Sequence, residues 1–260
     1  MKIRLSSSWQ YVSPEFRDEL KDMLASAENL APDGNIPVLW QTRNKFVLLL
    51  ELPSGRKVVF KAPARIKNFL KYCLRPSPWG KEASNFYRIR QMGIPTVHFL
   101  AAGEFRRFFK LRKGFLITEF AEGFSDGFDF VPGGALADEP VLVRKFVEQN
   151  FRLLAILHNN CFAHNGFTPA NMLYRKHTGA GDGDSPLEIL WIDLASCSRI
   201  SLPWNSCRRF AQDMVHFFSY FNFTDDEKRH YLEIYCRESR CPGMTPEKLL
   251  KLVKSIRPRR

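Results

Sequence analysis

The stretch HNGFTPANML at 164–173 sets His164 and Asn171 in an HxxxxxxN frame, with Asn165 and Gly166 just after the histidine. It follows the helix-like run VEQNFRLLAILHNN and precedes a β-like run ending in ILWIDLAS, so Asp193 stands directly after apolar residues. An Asp so placed can project from a strand end into a cleft. With the Asn171 carboxamide it offers hard oxygen ligands of the kind that suit Mg²⁺ held between protein and phosphates. The chemistry this predicts is phosphoryl transfer. That reaction asks for a cation on nucleotide phosphates, a group to fix that cation, a metal site, and something to orient the acceptor. Lys61, ending the apolar run KVVFK, is the expected cation, and Glu82, near the start of a later helix-like stretch, is the expected partner. The apolar run FLITEF at 115–120 leads to a segment whose backbone near Glu119, Phe120 and Ala121 would bond an adenine edge, with the Glu119 side chain left facing solvent. His158 is read as structural, its imidazole bonding the last carbonyls of a helix.

The elements that must position these groups can be read from periodicity. SPEFRDELKDMLASAEN predicts an amphipathic helix over about 13–29, with Ser13 as N-cap and Pro14 at the first helical position. VLWQT, KFVLLLEL and KVVFKAP read as three consecutive antiparallel strands, with PSG at 53–55 a hairpin turn. KEASNFYRIRQMGIPTV predicts a helix stopped at Gly93 and Pro95, and two strands follow around VHFLAAGEF and GFLITEFAE. The glycine-rich stretch 123–140 reads as a connection rather than an element, the linker or hinge covering about 119–138. Beyond it a long helix starts at Asp138 and Pro140, with Val143, Val147, Phe151 and Leu154 on its apolar face. Thr224 with Glu227 predicts a capping box, and Thr245 with Pro246 another helix start. TGAGDGDSPLE at 178–188 is expected to be an exposed loop between strands. A β-rich front and a helical back predict an α+β fold of two lobes, 1–122 and 123–260.

At 260 residues, 45% hydrophobic and 25% charged, the chain has ordinary globular composition. It has no run of apolar residues long enough to span a membrane, and its N-terminus MKIRLSSSWQYVSPEF carries no signal-peptide core, so the expectation is a cytoplasmic protein. Cys73, Cys161, Cys197, Cys207, Cys236 and Cys241 lack CxxC spacing and are expected to be reduced and structural. The net charge of +12 concentrates in ARIKNFLKYCLRP (64–76), FRRFFKLRKG (105–114) and IRPRR (256–260). In the first two, aromatic or leucine side chains are interleaved with the cations, which suits an anionic membrane interface; a solvated basic face is the plain alternative. Nucleic acid is disfavoured because no reader motif accompanies the charge.

The loop resembles the kinase catalytic loop H-R-D-x-x-x-x-N, with Gly166 in place of the Asp that takes or orients the acceptor proton. Together VVFKAP, KEASNFYRIRQMGIPTVHFLAAGE, FLITEFAEG, HNGFTPANMLY, WIDLAS and RRFAQDM resemble the lipopolysaccharide core kinases of Gram-negative bacteria, over about residues 38–220. The succession of Glu82, GIPT and AAGE is the most specific part. The resemblance implies a bilobal protein-kinase-like fold, with a small antiparallel-sheet N-lobe carrying one main helix and a mostly helical C-lobe. It implies ATP and Mg²⁺, and an inner-core sugar acceptor, heptose or Kdo, on lipopolysaccharide or a lipid-linked precursor at the cytoplasmic face of the inner membrane. By position, Lys61 would contact phosphates, Glu82 would pair with it, Asn171 and Asp193 would bind metal, and Asp213 would brace the loop. Losing a general base removes about 10²- to 10⁴-fold in rate. Two readings therefore stand: slow catalysis with His164 or Asn165 orienting the acceptor or an acceptor phosphate assisting, or a non-catalytic pseudokinase that binds nucleotide or lipopolysaccharide precursor and regulates or scaffolds core assembly.

Overall fold

The computed structural model describes residues 8–64, 66, 72–73, 75–107, 109–176, 187–201, 206–240 and 244–257. The chain divides into two units, Met1–Tyr87 with Val97–Ala121, and Arg88–Thr96 with Glu122–Arg260.

The first unit is built on one antiparallel sheet. Its strands are β1 (Trp9–Val12), β2 (Val38–Gln41), β3 (Lys45–Glu51), β4 (Lys57–Pro63), β5 (Phe99–Arg107) and β6 (Lys110–Glu119), in the order β1-β5-β6-β4-β3-β2. Alternation puts Val58, Phe60 and Ala62 of β4 into the core, where Phe60 stacks between Phe46 and Phe115. The AAGE sequence gains a physical reason here. A Cβ on Gly103 would lie 2.5 Å from the Phe115 ring, so only glycine lets that ring close over β5. The next residue, Glu104, accepts from Ser77 N at 3.0 Å and pairs with Arg106 at 2.6 Å, both side chains fully buried.

The helix predicted over 13–29 is broken. A short 3-10 turn, Pro14–Phe16, precedes α1 (Lys21–Ser26). Ser13 does not cap: its Oγ donates to Phe99 O and its N–H to Leu100 O, so the sheet holds the chain extended up to that residue. Phe16, Leu20 and Leu24 are buried all the same, and tertiary packing replaces a continuous helical ladder. Strand β1, which periodicity did not announce, pairs with β5 just before that turn.

Helix α2 (Pro78–Gln91) ends as predicted, with Gly93 N bonded to Arg90 O and Ile94 N to Ile89 O. In the second unit, α3 (Pro140–Asn159) buries Val147, Phe151 and Leu154. The stretch 123–140 is not merely a connection. It contains β7 (Ser125–Asp126) and a 3-10 turn, Gly127–Phe130. The turn is pinned because Phe130 stacks on Phe146 at 4.3 Å and Tyr174 donates to Asp129 at 2.8 Å. Strands β8 (Phe162–Ala163), β9 (Met172–Arg175), β10 (Glu188–Trp191) and β11 (Ser198–Arg199) complete two small sheets, β10-β9-β7 and β11-β8. Most of the loop expected at 178–188 lies outside the described residues. Helices α4 (Ser206–Phe218), α5 (Asp225–Glu238) and α6 (Pro246–Ser255) close the unit; Thr224 and Glu227 form the capping box, and Thr245 caps α6. The sheet-based first unit and mainly helical second unit make the chain α+β, as the sequence predicts.

The basic stretch 105–114 is not a uniform cationic band. A register shift between Phe105 and Arg106 turns Arg106 inward, where it also donates to Tyr72 O and Phe109 O. Lys113 donates to Glu28 O and Leu30 O, and burial lowers its pKa. Arg107, Lys110 and Arg112 remain exposed beside Phe109. The stretch at 64–76 and the tail lie largely outside the described residues, as does Cys241. Among the described residues, no helix is long and apolar enough to cross a membrane.

Candidate functional site

In the first unit, β4 fixes Lys61 beside Val47 of β3 and Leu116 of β6, and its Nζ lies 2.9 and 3.0 Å from the two Glu82 oxygens. The Glu82 side chain is 2% exposed. A buried carboxylate requires such a partner, and the pair in turn holds the lysine ammonium in one place. At the end of β6, the Glu119 side chain pairs with Arg56 at 3.0 Å. Glu119 N donates to His98 O and Phe120 N to Lys57 O, so both are committed within the unit. Ala121 N makes no such backbone bond among the described residues. Of the N–H groups in the segment expected to bond an adenine edge through N–H and C=O, it is the one not engaged in this way.

The second unit is organised around Asp213 in α4, whose side chain is 2% exposed. Its Oδ2 accepts from His164 N and its Oδ1 from Asn165 N, each at 2.7 Å. His158 donates to it from Nε2 at 3.2 Å and accepts from the Tyr235 hydroxyl at Nδ1, 2.9 Å. His158 thus bonds side chains rather than the carbonyls ending α3. Its burial pushes its pKa below the ordinary value, against the opposing pull of Asp213. Three donors on one carboxylate are what allow a charged residue to sit inside an apolar helix.

Asn165 has a left-handed backbone, φ 57°, which asparagine tolerates better than most residues. Its side-chain amide donates to Ser196 O at 3.1 Å and Ser198 Oγ at 2.9 Å, and its oxygen accepts from Arg209 at 3.2 Å. These bonds tie the loop to the segment after Asp193. They also engage the Asn165 side chain, which was expected to meet an acceptor. His164 is still less suited to that role, because its ring is fully buried, edge-on to Phe167 and Trp191. Neither ring nitrogen has a partner among the described residues, and burial lowers its pKa. The backbone of His164 and Asn165 serves the loop, and the imidazole packs it.

Asn171 Nδ2 donates to Gly166 O at 2.7 Å, which aims the carboxamide, and the backbone carbonyl of Asn171 accepts from Ile192 N at 2.9 Å. That bond brings Asn171 next to Asp193. Asp193 also has a left-handed backbone, φ 50° and ψ 59°, and its side chain does not cap the 194–196 turn it begins. The donor set of one carboxylate and one carboxamide oxygen fits Mg²⁺, which takes few protein ligands and completes its shell with water and phosphate. Among the described residues, no group of three or more His, Cys, Asp or Glu could cage a metal alone.

Ser196 was not singled out from the sequence. Its Oγ donates to His164 O at 2.8 Å and lies 2.9 Å from where a Cβ on Gly166 would be. Gly166 does not have a positive φ, so what its missing side chain provides is space. Only the position of Ser196 in WIDLAS, just after Asp193, hinted at it. A cavity of about 660 Å³ elsewhere in this unit is lined by Phe130, Arg144, Phe223 and Tyr231 among others, and none of the loop residues lines it.

No protein-family model matches the sequence, and no curated protein matches it. Among solved structures the chain is similar to WaaP in complex with acyl carrier protein, at 18% identity and TM-score 0.64, covering 94% of this chain and 92% of that one. It is also similar to the Rio2 kinase in its ADP/Mg²⁺-phosphoaspartate complex from Chaetomium thermophilum, at 15% identity and TM-score 0.49, covering 91% and 66%. A third is the BubR1 kinase domain, at 13% identity and TM-score 0.49, covering 94% and 93%. At these identities the likeness is one of fold, and the similarity to WaaP carries it. The chain has an α+β, protein-kinase-like fold.

Proposed function

We propose that the protein is an ATP-dependent phosphotransferase of the lipopolysaccharide core kinase type. It transfers the γ-phosphate to a hydroxyl of an inner-core sugar, heptose or Kdo, and does so slowly. The observation that carries this reading is the Asp213-braced loop that sets Asn171 beside Asp193, in a chain whose ordered motifs resemble those kinases. Lys61, held by Glu82, contacts the nucleotide phosphates, and the backbone near Ala121 meets the adenine edge. Asn171 and Asp193 hold Mg²⁺, which neutralises charge on the phosphates when bound. Positioning and charge neutralisation dominate phosphoryl transfer, so a chain without the loop carboxylate retains part of its rate. The acceptor would place the protein in the cytoplasm at the inner membrane of a Gram-negative cell, where the exposed residues Arg107, Phe109 and Lys110 would face its anionic surface.

Gly166 itself favours a second reading, a pseudokinase that binds nucleotide or lipopolysaccharide precursor without transfer. The two are separated by incubating the purified protein with labelled ATP, Mg²⁺ and delipidated core oligosaccharide. Transfer that Asp193→Ala abolishes is the expected result. A nucleotide-induced thermal shift without transfer overturns it in favour of the pseudokinase.

A further inference from the structure

We propose that the cavity of about 660 Å³ in the second unit is a carbohydrate-binding site, where Phe223 meets the C–H face of a pyranose ring and Tyr231, Asp138, Arg144 and Asn222 bond its hydroxyls. The proposal goes beyond the phosphotransferase reading and does not depend on it, since no residue of the 164–171 loop lines the cavity. The volume lies within the roughly 300–1,000 Å³ of small-molecule sites. The wall is aromatic: Phe221 stacks on Phe223 at 4.6 Å, and Phe223 lies 5.0 Å from Tyr231.

The Tyr231 hydroxyl marks this cavity as a site. The residue is 4% exposed, yet its hydroxyl has no hydrogen-bond partner among the described residues. Unlike the two His164 nitrogens, that oxygen is not sealed in. The charges that act on it include Arg144 and Glu227, which both line the cavity, so the hydroxyl faces that space. Burial, with help from Glu227 and against Arg144, pushes its pKa up to about 12, and it stays a neutral donor and acceptor. A buried hydroxyl without a partner is costly, and a ligand hydroxyl supplies one.

The other polar groups of the wall divide into engaged and open. Glu227 is held by Thr224 in the capping box, Asp226 by Arg229 at 2.7 Å, and His230 by Glu148 at 2.8 Å. Asp138, Arg144 and Asn222 are exposed, and their side chains bond no described residue. An anion placed here meets Asp138, and an organic cation meets Arg144. A polyhydroxylated ring uses both, because its hydroxyls donate to the carboxylate and accept from the guanidinium while its C–H face lies on an aromatic ring.

The test titrates the full-length protein, without ATP, with methyl pyranosides of gluco, manno and galacto configuration and with delipidated core oligosaccharide, following aromatic side-chain resonances by NMR. Benzoate and benzyltrimethylammonium serve as charged-ring controls. The expected result is saturable binding of at least one sugar, tighter than either control. That binding weakens about tenfold in Arg144→Gln, severalfold in Tyr231→Phe, and is unchanged in Asp193→Ala. Arg144 is exposed, so its variant tests the site even where Tyr231→Phe disturbs folding. No saturable sugar binding, binding that either substitution leaves within twofold in a folded variant, or a control that binds more tightly overturns the proposal. Binding lost in Asp193→Ala overturns it too, by assigning the sugar to the catalytic loop. All of these leave the phosphotransferase reading standing, since transfer is decided by the labelled-ATP assay.

Discussion

Replacing Gly166 by Asp is the obvious way to rebuild a conventional loop, and the structure predicts that it fails alone. The new Cβ would sit 2.9 Å from Ser196 Oγ, closer than carbon and oxygen pack without movement. The serine must rotate and release His164 O, which costs about 0.5–1.5 kcal/mol for the lost hydrogen bond. Residual crowding adds roughly 1–2 kcal/mol, in the range of overpacked interiors. Reduced freedom of the unfolded chain returns about 0.4–1 kcal/mol, since the backbone at 166 accepts a side chain. The net expectation for Gly166→Asp is a loss of roughly 0.5–3 kcal/mol. Ser196→Ala alone loses about 1 kcal/mol through the same bond. In the double variant the obstruction is gone and the bond is lost only once, so it should be more stable than the sum of the singles by the crowding plus one hydrogen bond, roughly 1.5–3.5 kcal/mol. Urea denaturation of the four proteins measures this directly. Additivity within about 0.3–0.5 kcal/mol would refute the claim that the serine hydroxyl fills the emptied position.

Two further predictions concern the groups that hold the site together. His158 and His164 both have pKa values lowered by burial, so the unfolded chain binds protons that the folded one refuses. Their contribution to stability is therefore complete above pH about 6.5 and is lost as pH falls below that value and through their depressed folded-state values, by up to about 1.4 kcal/mol per pH unit for each histidine. Urea midpoints from pH 7.5 to 5.5 should fall accordingly, with a shallower slope in His158→Gln; a flat profile contradicts the assignment. Lys61→Met leaves the buried Glu82 carboxylate without its ammonium and should cost about 3–5 kcal/mol. Adding Glu82→Leu should recover much of that stability, and a single variant as stable as the parent by thermal denaturation would show that the pair is not a buried one.

Several contacts were legible because their signals are local or rest on strong chemical necessity. An acid inside the apolar face of α4 must find donors, and Asp213 finds two loop amides and an imidazole. Lys61 at a strand end and Glu82 near a helix start, in the order the resemblance implies, do meet. The broken helix at 13–29 was not legible, because its apolar spacing is the same whether or not the backbone ladder is continuous. What interrupted it was Ser13 bonding to β5, far away in the chain. The burial of the His164 ring was not legible for a related reason. A histidine in a loop looks available until the left-handed turn at Asn165 and the bonds to Asp213 fold its ring under Trp191.

By itself, then, the sequence determined strands β2 to β6, helices α2 and α3, the caps of α5 and α6, the α+β class and the candidates for phosphoryl chemistry. These follow from periodicity and side-chain chemistry, which each short segment carries within it. Tertiary structure alone decided that Ser196 stands against Gly166, that Arg106 is interior rather than a surface cation, and that the Asn165 amide is spent on the 196–198 segment. Each of those outcomes depends on strand pairing and packing between residues distant in sequence, where a shift of one position in register sends a side chain to the opposite face.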